Sequence, residues 1–138
     1  MMERAVPTLG GIETALKASW AADTCSPDDF ERAGWSPENP AWGHCDITAL
    51  LINDIFGGDL VLGEVFAGAE QQGYHWWNRL DSDLDVDLTR SQFRSGQLVV
   101  ETKVMRRPQE RPQRRYKEYL LLRKRVEALL GPLPGRPE

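Results

Sequence analysis

Residues 45 to 56, CDITALLINDIF, constrain the fold of this chain more than any other stretch. Ile47, Ala49, Leu50, Leu51, Ile52, Ile55 and Phe56 leave few polar positions, so a helix here is apolar over most of its surface and belongs inside the molecule. Gly57-Gly58 follows at once and supplies the left-handed stop that ends such a helix. The remaining elements must be laid around it.

Before it, residues 9–22 read as a helix, with Ile12, Leu16, Ser19 and Trp20 along one face and Thr8 as its cap. Residues 23–43 are rich in Pro, Asp, Asn and Gly and read as an irregular connection with one short helical turn at 27–32. Phe30, Trp35 and Trp42 make that connection a packed loop. After the central helix, residues 59–66 alternate like a strand, residues 74–80 and 85–89 read as a hairpin, and residues 95–104 supply another strand. A basic, proline-bearing linker at 105–115 leads into a last helix over 113–130, with Tyr116, Tyr119, Leu122, Val126 and Leu129 on its inner face. The order predicts an α+β fold, with the buried helix packed on a small antiparallel sheet. At 138 residues the chain is expected to form a single domain over 1–138.

With 41% hydrophobic and 28% charged residues, the composition is that of an ordinary globular protein. No apolar run approaches the roughly 20 residues of a membrane span, and the first residues are too polar for a secretory h-region. A cytoplasmic location is expected, where Cys25 and Cys45 are free thiols, although a bridge between them stays open if their Cα atoms fall within disulfide reach. Residues 103–125 hold ten of the seventeen Lys and Arg, opposed only by Glu110 and Glu118, while the rest of the chain is acidic. Such a stretch can bind a phosphate backbone or form the solvated face of a helix lying on an acidic body. Lacking interleaved aromatics or a nucleic-acid module, it favours the second reading.

Chemistry centres on Cys45. At a helix N-terminus the unpaired N–H groups and the positive end of the dipole are expected to lower a thiol pKa that is about 8.5 unperturbed, and they can hold an oxyanion. Gly43 and Ala41, just before it, would let a substrate approach. The same thiol can equally be a small hydrophobe in the core. A nucleophilic Cys needs a base, and there are two histidines. His44 is its neighbour, about 100° away around the helix, suited to lining the entrance but not to taking the proton. His75 lies on a strand, where it can project toward the helix start, and is the preferred base. Asp87 is the preferred orienting group over Asp85, being further from the exposed turn. It reaches the face of His75 only if the hairpin loop has odd length or a bulge, because a one-residue slip flips every side chain. The plain alternative for Asp81, Asp83, Asp85 and Asp87 is a solvated acidic strand face. A calcium loop begun at Asp81 fails, with Val86 at the sixth position and Gln92 at the twelfth. The spacing of the Cys and His residues suits no zinc site, and no phosphate-binding glycine loop is present. No metal and no cofactor are expected.

Taken in order, SWAADTC, NPAWGHCDITALLINDIFGG, YHWWNRL, VDLTRSQF and RRYKEYLLLRKRV resemble the YunG-like family of small bacterial proteins over residues 17–127. That pattern is similar to the papain/transglutaminase-like cysteine enzymes, in which a Cys at a helix start faces a His and an Asp on adjacent strands. The resemblance implies a papain-like core and carries over to Cys45, His75 and Asp87. The family motif reads Gly-Gln-Cys where this chain has His44, so an oxyanion contact from the glutamine side chain is altered here. Asn39 is a candidate replacement donor, against the simpler reading of Asn-Pro as a turn. Cys25, also within the pattern, is taken as structural. The expected activity is a cysteine hydrolase or acyltransferase acting on an amide, ester or thioester bond of a small-molecule or peptide substrate. Asn39, His44, Trp42 and Trp77 are the expected substrate contacts. Two rival readings are a module that binds a small molecule or protein without turnover, through a surface of Trp42, Trp76 and Trp77, and a nucleic-acid-associated protein using residues 103–125. No membrane partner is expected.

Overall fold

The structure, a computed structural model, describes residues 7–81, 84–108 and 114–135. The first helix, α1 (Leu9–Ser19), starts where expected because the Thr8 hydroxyl accepts from the Gly11 N–H at 3.0 Å. It ends earlier than the apolar pattern suggests. Trp20 turns extended, and its indole Nε1 donates to Thr48 Oγ1 at 3.1 Å. A 3-10 turn at Ala22–Thr24 and a short helix α2 (Pro27–Arg32) fill the connection. The central helix α3 spans Cys45–Phe56, stopped by Gly57 at φ 78°, a conformation open mainly to glycine. Strands β1 (Asp59–Ala67), β2 (Glu70–Leu80), β3 (Leu84–Val86) and β4 (Gln97–Met105) follow, then helix α4 (Tyr116–Leu130).

The four strands form an antiparallel sheet in the order β3-β2-β1-β4. Strand β2 begins four residues before the expected strand, since Glu70 to Gly73 continue its pairing with β1 across a tight turn at Gly68-Ala69. Helix α3 packs on the sheet, mainly against β2, and on its other side against α4, which pairs with α1. Ile12, Leu16, Ile47, Leu51, Ile52, Tyr119, Leu122 and Val126 form the core between the helices. Asn78 of β2 donates to the Ala49 carbonyl of α3 at 2.8 Å, a polar tie between sheet and helix. This is the expected α+β arrangement of a buried helix on a small antiparallel sheet. Among the described residues no helix is long and apolar enough to cross a membrane.

Two boundaries differ from expectation at the C-terminal end. Met105 still pairs with Leu60, so the irregular segment begins at Arg106 and not at 105. The last helix starts at Tyr116 and not at 113, because Arg115 sits in the left-handed region at φ 68°, where a helix cannot pass. Residues 109–113 of the expected linker lie outside the described residues. On α4, Tyr119, Leu122 and Val126 are buried as expected, but Leu129 is 59% exposed where the last turn runs past the core.

Candidate active site

The turn that presents Cys45 is built from buried, hydrogen-bonded parts. Gly43 has φ 77°, and a Cβ there would strike the Cys25 sulfur, so glycine is required by the backbone and by packing, not to admit a substrate. Ala41 is likewise buried, so neither small residue opens an approach to the sulfur. The Gly43 carbonyl accepts from the Ser26 N–H at 2.9 Å. His44, the N-cap of α3, is sealed from solvent. Its Nδ1–H donates to the Trp42 carbonyl at 2.8 Å, which leaves Nε2 to accept from the Thr24 hydroxyl at 2.7 Å. Burial pushes its pKa down to about 4. His44 was expected to line the entrance. The structure corrects this, since both ring nitrogens are spent inside the fold.

Cys45 is half-buried and faces an open cleft, and both cysteines are free thiols. The expected lowering of its pKa by the helix terminus does not hold. Burial pushes the Cys45 thiol up, the charge of Asp46 adds to this, and the Trp76 backbone N–H offsets only part; Asp29 and Asp87 also push upward. A helix terminus contributes about 0.3–1 kcal/mol, too little against desolvation and three carboxylates.

His75 and Asp87 are brought together. Strands β2 and β3 pair Asn78 with Val86, Arg79 with Asp85 and Leu80 with Leu84. The connection 81–83 therefore has three residues, and Asp81 takes a left-handed φ of 51°. That odd length is what carries Asp87, one residue beyond β3, onto the face of His75. His75 Nε2 lies 2.6 Å from Asp87 Oδ2. The other carboxylate oxygen accepts from the Thr89 N–H and hydroxyl, both at 3.2 Å. The imidazole is fixed edge-on against Phe93 at 4.6 Å and stacked on Trp77 at 5.7 Å between ring centres. It is 1% exposed, and its Nδ1 is buried without a hydrogen bond, either to Cys45 or to any other described group. Asp85 turns elsewhere, to Arg79 at 2.5 Å and to the Trp77 indole at 3.0 Å.

The cleft, of about 1640 Å³, is lined by Cys45, Asn39, Trp42, Trp76 and Phe93 over a floor that includes Leu60 and Leu62. Asn39 and Trp42, expected as substrate contacts, do border it. Each is tied to the fold: Asn39 Nδ2 donates to the Gln92 carbonyl at 3.2 Å, and Trp42 Nε1 to the Ala33 carbonyl at 2.8 Å. Trp77 does not border the cleft, because strand alternation turns it to the opposite face of the sheet, over Gly63 and Asp85. Trp76 takes its place. Neither His75 nor Asp87 lines the cleft, but Phe93, which covers His75, does. Sequence reasoning missed Phe93 as a site residue, and also Arg115, which is buried in the turn beside Cys45. The hydrophobic pattern marks Phe93 only as apolar, and Arg115 is hidden in a run of cations. Among the described residues no group of three or more His, Cys, Asp or Glu is placed to hold a metal ion.

Five of the ten cations of the basic stretch fold back on carboxylates among the described residues. Arg107 and Arg123 pair with Asp54, Arg114 with Asp28 at 2.6 Å, Arg115 with Asp46 at 3.1 Å and Arg125 with Asp23 at 2.6 Å. Of the two readings, the helix lying on an acidic body is the one these pairs support.

The model of the family described as YunG protein matches residues 8–131. A protein of Bacillus subtilis (strain 168) with the printed description "Uncharacterized protein YunG" is 30% identical over 84 residues, which span 61% of this chain and 62% of that relative. No solved structure matches.

Proposed function

The chain belongs to the YunG family, and from that premise we propose a cysteine-dependent hydrolase or acyltransferase that opens an amide, ester or thioester bond through an acyl-enzyme at Cys45. The observation that carries this reading is the His75 ring, held at Nε2 by Asp87 and buried without a partner at Nδ1. A neutral imidazole has one N–H, and Asp87 holds it at Nε2, so Nδ1 presents a lone pair. Leaving a buried acceptor empty costs about 1–3 kcal/mol. A group that must receive a proton during a reaction is a physical reason for a fold to tolerate that cost.

His75 stacks on Trp77 and does not line the cleft at rest, so in the proposed reaction the ring and the sulfur must first be brought together as substrate binds. The Cys45 S–H then gives its proton to His75 Nδ1 while the sulfur attacks the substrate carbonyl carbon. The carbonyl electron pair moves to oxygen, which the N–H groups at the start of α3 stabilise. Collapse re-forms the C=O and expels the amine, alcohol or thiol, which takes the proton from the imidazolium and leaves a thioester on Cys45. Water or an amine, deprotonated by the same Nδ1, then releases the acyl group. Since the resting thiol is raised and unbonded to His75, proton transfer accompanies attack and does not precede it. The papain-like layout of Cys, His and Asp belongs to this proposal. The apolar floor of Leu60, Leu62 and Trp76 suits an uncharged acyl portion.

Incubation with p-nitrophenyl acetate followed by intact-mass and peptide mapping tests it. A single acetyl group is expected on Cys45, absent in Cys45→Ala and formed about 100-fold more slowly in His75→Ala. Acetylation only elsewhere, or His75→Ala reacting at the wild-type rate, overturns the reading. The missing bond between Cys45 and His75 favours a second reading, a module that binds a small molecule or protein in the same cleft without turnover. Ligand binding with no adduct at Cys45 would select it.

A further inference from the structure

We infer that Arg115 is a positioning residue for Cys45: from the residue before α4 it clamps both sides of the turn that carries the thiol and neutralises the carboxylate beside it. Its consequence for catalysis rests on the acyl-enzyme reading above, whereas its effect on the thiol does not.

The geometry is specific. Arg115 is 7% exposed, and its three nitrogens are all engaged. Nη2 donates to the Gly43 carbonyl at 2.9 Å, two residues before Cys45. Nη1 and Nη2 both donate to the Thr24 carbonyl at 3.0 Å, and Thr24 in turn holds the His44 ring. On the other side of Cys45, Nε and Nη2 donate to the two oxygens of Asp46 at 3.1 and 3.2 Å. Nη1 also meets Glu118 at 3.1 Å, which fixes the guanidinium to α4 itself. A forked guanidinium makes such a two-sided clamp, and an ammonium cannot. Arg115 adopts a left-handed backbone at φ 68°, so this side chain is held at a position where glycine would be easier.

The clamp acts on the sulfur through charge as well as shape. The carboxylates that bear on Cys45 are Asp46 on α3, Asp29 on α2 and Asp87 after β3, and Asp46 has the largest effect. Other ionisable groups around this corner of the fold are His44 beside the thiol, Cys25 against Gly43, Asp28 and Arg32 on α2, Arg114, His75 on β2 and Glu118 on α4. Arg115 is the cation bonded to Asp46. Without it, Asp46 faces the thiol unopposed and disfavours the thiolate further.

The test follows the rate of iodoacetamide modification at Cys45, read by peptide mapping between pH 7 and 10, with circular dichroism confirming the fold. In Arg115→Gln the rate at a fixed pH is expected to fall about tenfold, the profile being displaced to higher pH. In the double variant Arg115→Gln with Asp46→Asn the profile should return to that of the unaltered protein. A folded Arg115→Gln that reacts at the original rate, or a double variant no faster than the single, overturns the inference. A purely structural role would not produce rescue by removing a charge. Should Arg115→Gln fail to fold, Arg115→Lys decides, with and without Asp46→Asn: slower modification that the second change rescues supports the inference, and a folded Arg115→Lys reacting at the original rate overturns it. These rates are read without substrate. Loss of the acetyl adduct with the alkylation pattern intact therefore dismisses only the acyl-enzyme reading, and the converse dismisses only the role of Arg115.

Discussion

His44 and His75 are both sealed from solvent, yet one has spent both ring nitrogens on the fold and the other has kept one free. For His44 the consequence is a pH dependence of stability. An unfolded histidine titrates near 6.5, while burial holds the folded one near 4. The unfolded chain thus binds more protons between these values, so stability is full above about pH 6.5 and is lost as pH falls toward 4. Between pH 7 and 5 the loss amounts to about 2 kcal/mol. Urea midpoints at the two pH values are expected to show this in the unaltered protein and to converge in His44→Gln, which cannot titrate. An equally steep loss in His44→Gln would assign the effect to other groups. The histidine beside the thiol is structural, and the proton acceptor we propose, His75, lies thirty residues beyond Cys45.

At the scale of elements, α3 is held at both ends by α4 and the segments that flank it. Arg115 grips its start, and its last turn carries Asp54, whose side chain is 2% exposed and pairs with Arg107 and Tyr119. Arg123 lies 3.8 Å from the same carboxylate. Asp54→Ala would remove the counter-charge of the nearly buried Arg107 and leave Arg123 with Glu127 alone, a change that typically costs about 3–5 kcal/mol. A urea midpoint lowered to match is the expected outcome, and a loss below about 1 kcal/mol would show that the cluster rearranges. The hairpin works by the same economy of geometry. Three residues between Leu80 and Leu84, in place of two, decide that Asp87 meets His75 and that Asp85 meets Arg79.

Over the whole molecule, the charge asymmetry is in part internal, because Arg107, Arg114, Arg115, Arg123 and Arg125 of the basic stretch are matched to Asp23, Asp28, Asp46 and Asp54 spread along the acidic part. A labelled DNA duplex titrated at low salt is accordingly expected to show no saturable binding; an affinity that falls steeply with salt would reverse this. The helices, the strands and their antiparallel class were legible in the sequence, since each follows from local signals: the apolar run before Gly57-Gly58, the Thr8 cap, the alternation of 59–66. So was the pairing of His75 with Asp87, although only as a condition on loop length that the sequence left open. What the sequence could not show was the surroundings of each charge. The helix start at Cys45 suggests a lowered thiol pKa when read locally, but burial in the fold, aided by three carboxylates from separate segments, reverses the sign. Trp77 and Trp76 are equivalent in composition, and only the register of β2 on β1 sends one to the cleft and the other to the far face. Arg115 is one cation in a run until its backbone turns left-handed and buries it. Local propensity and hydrophobic period act over a few residues and are written along the chain, whereas desolvation and charge depend on neighbours that only folding brings within a few ångströms.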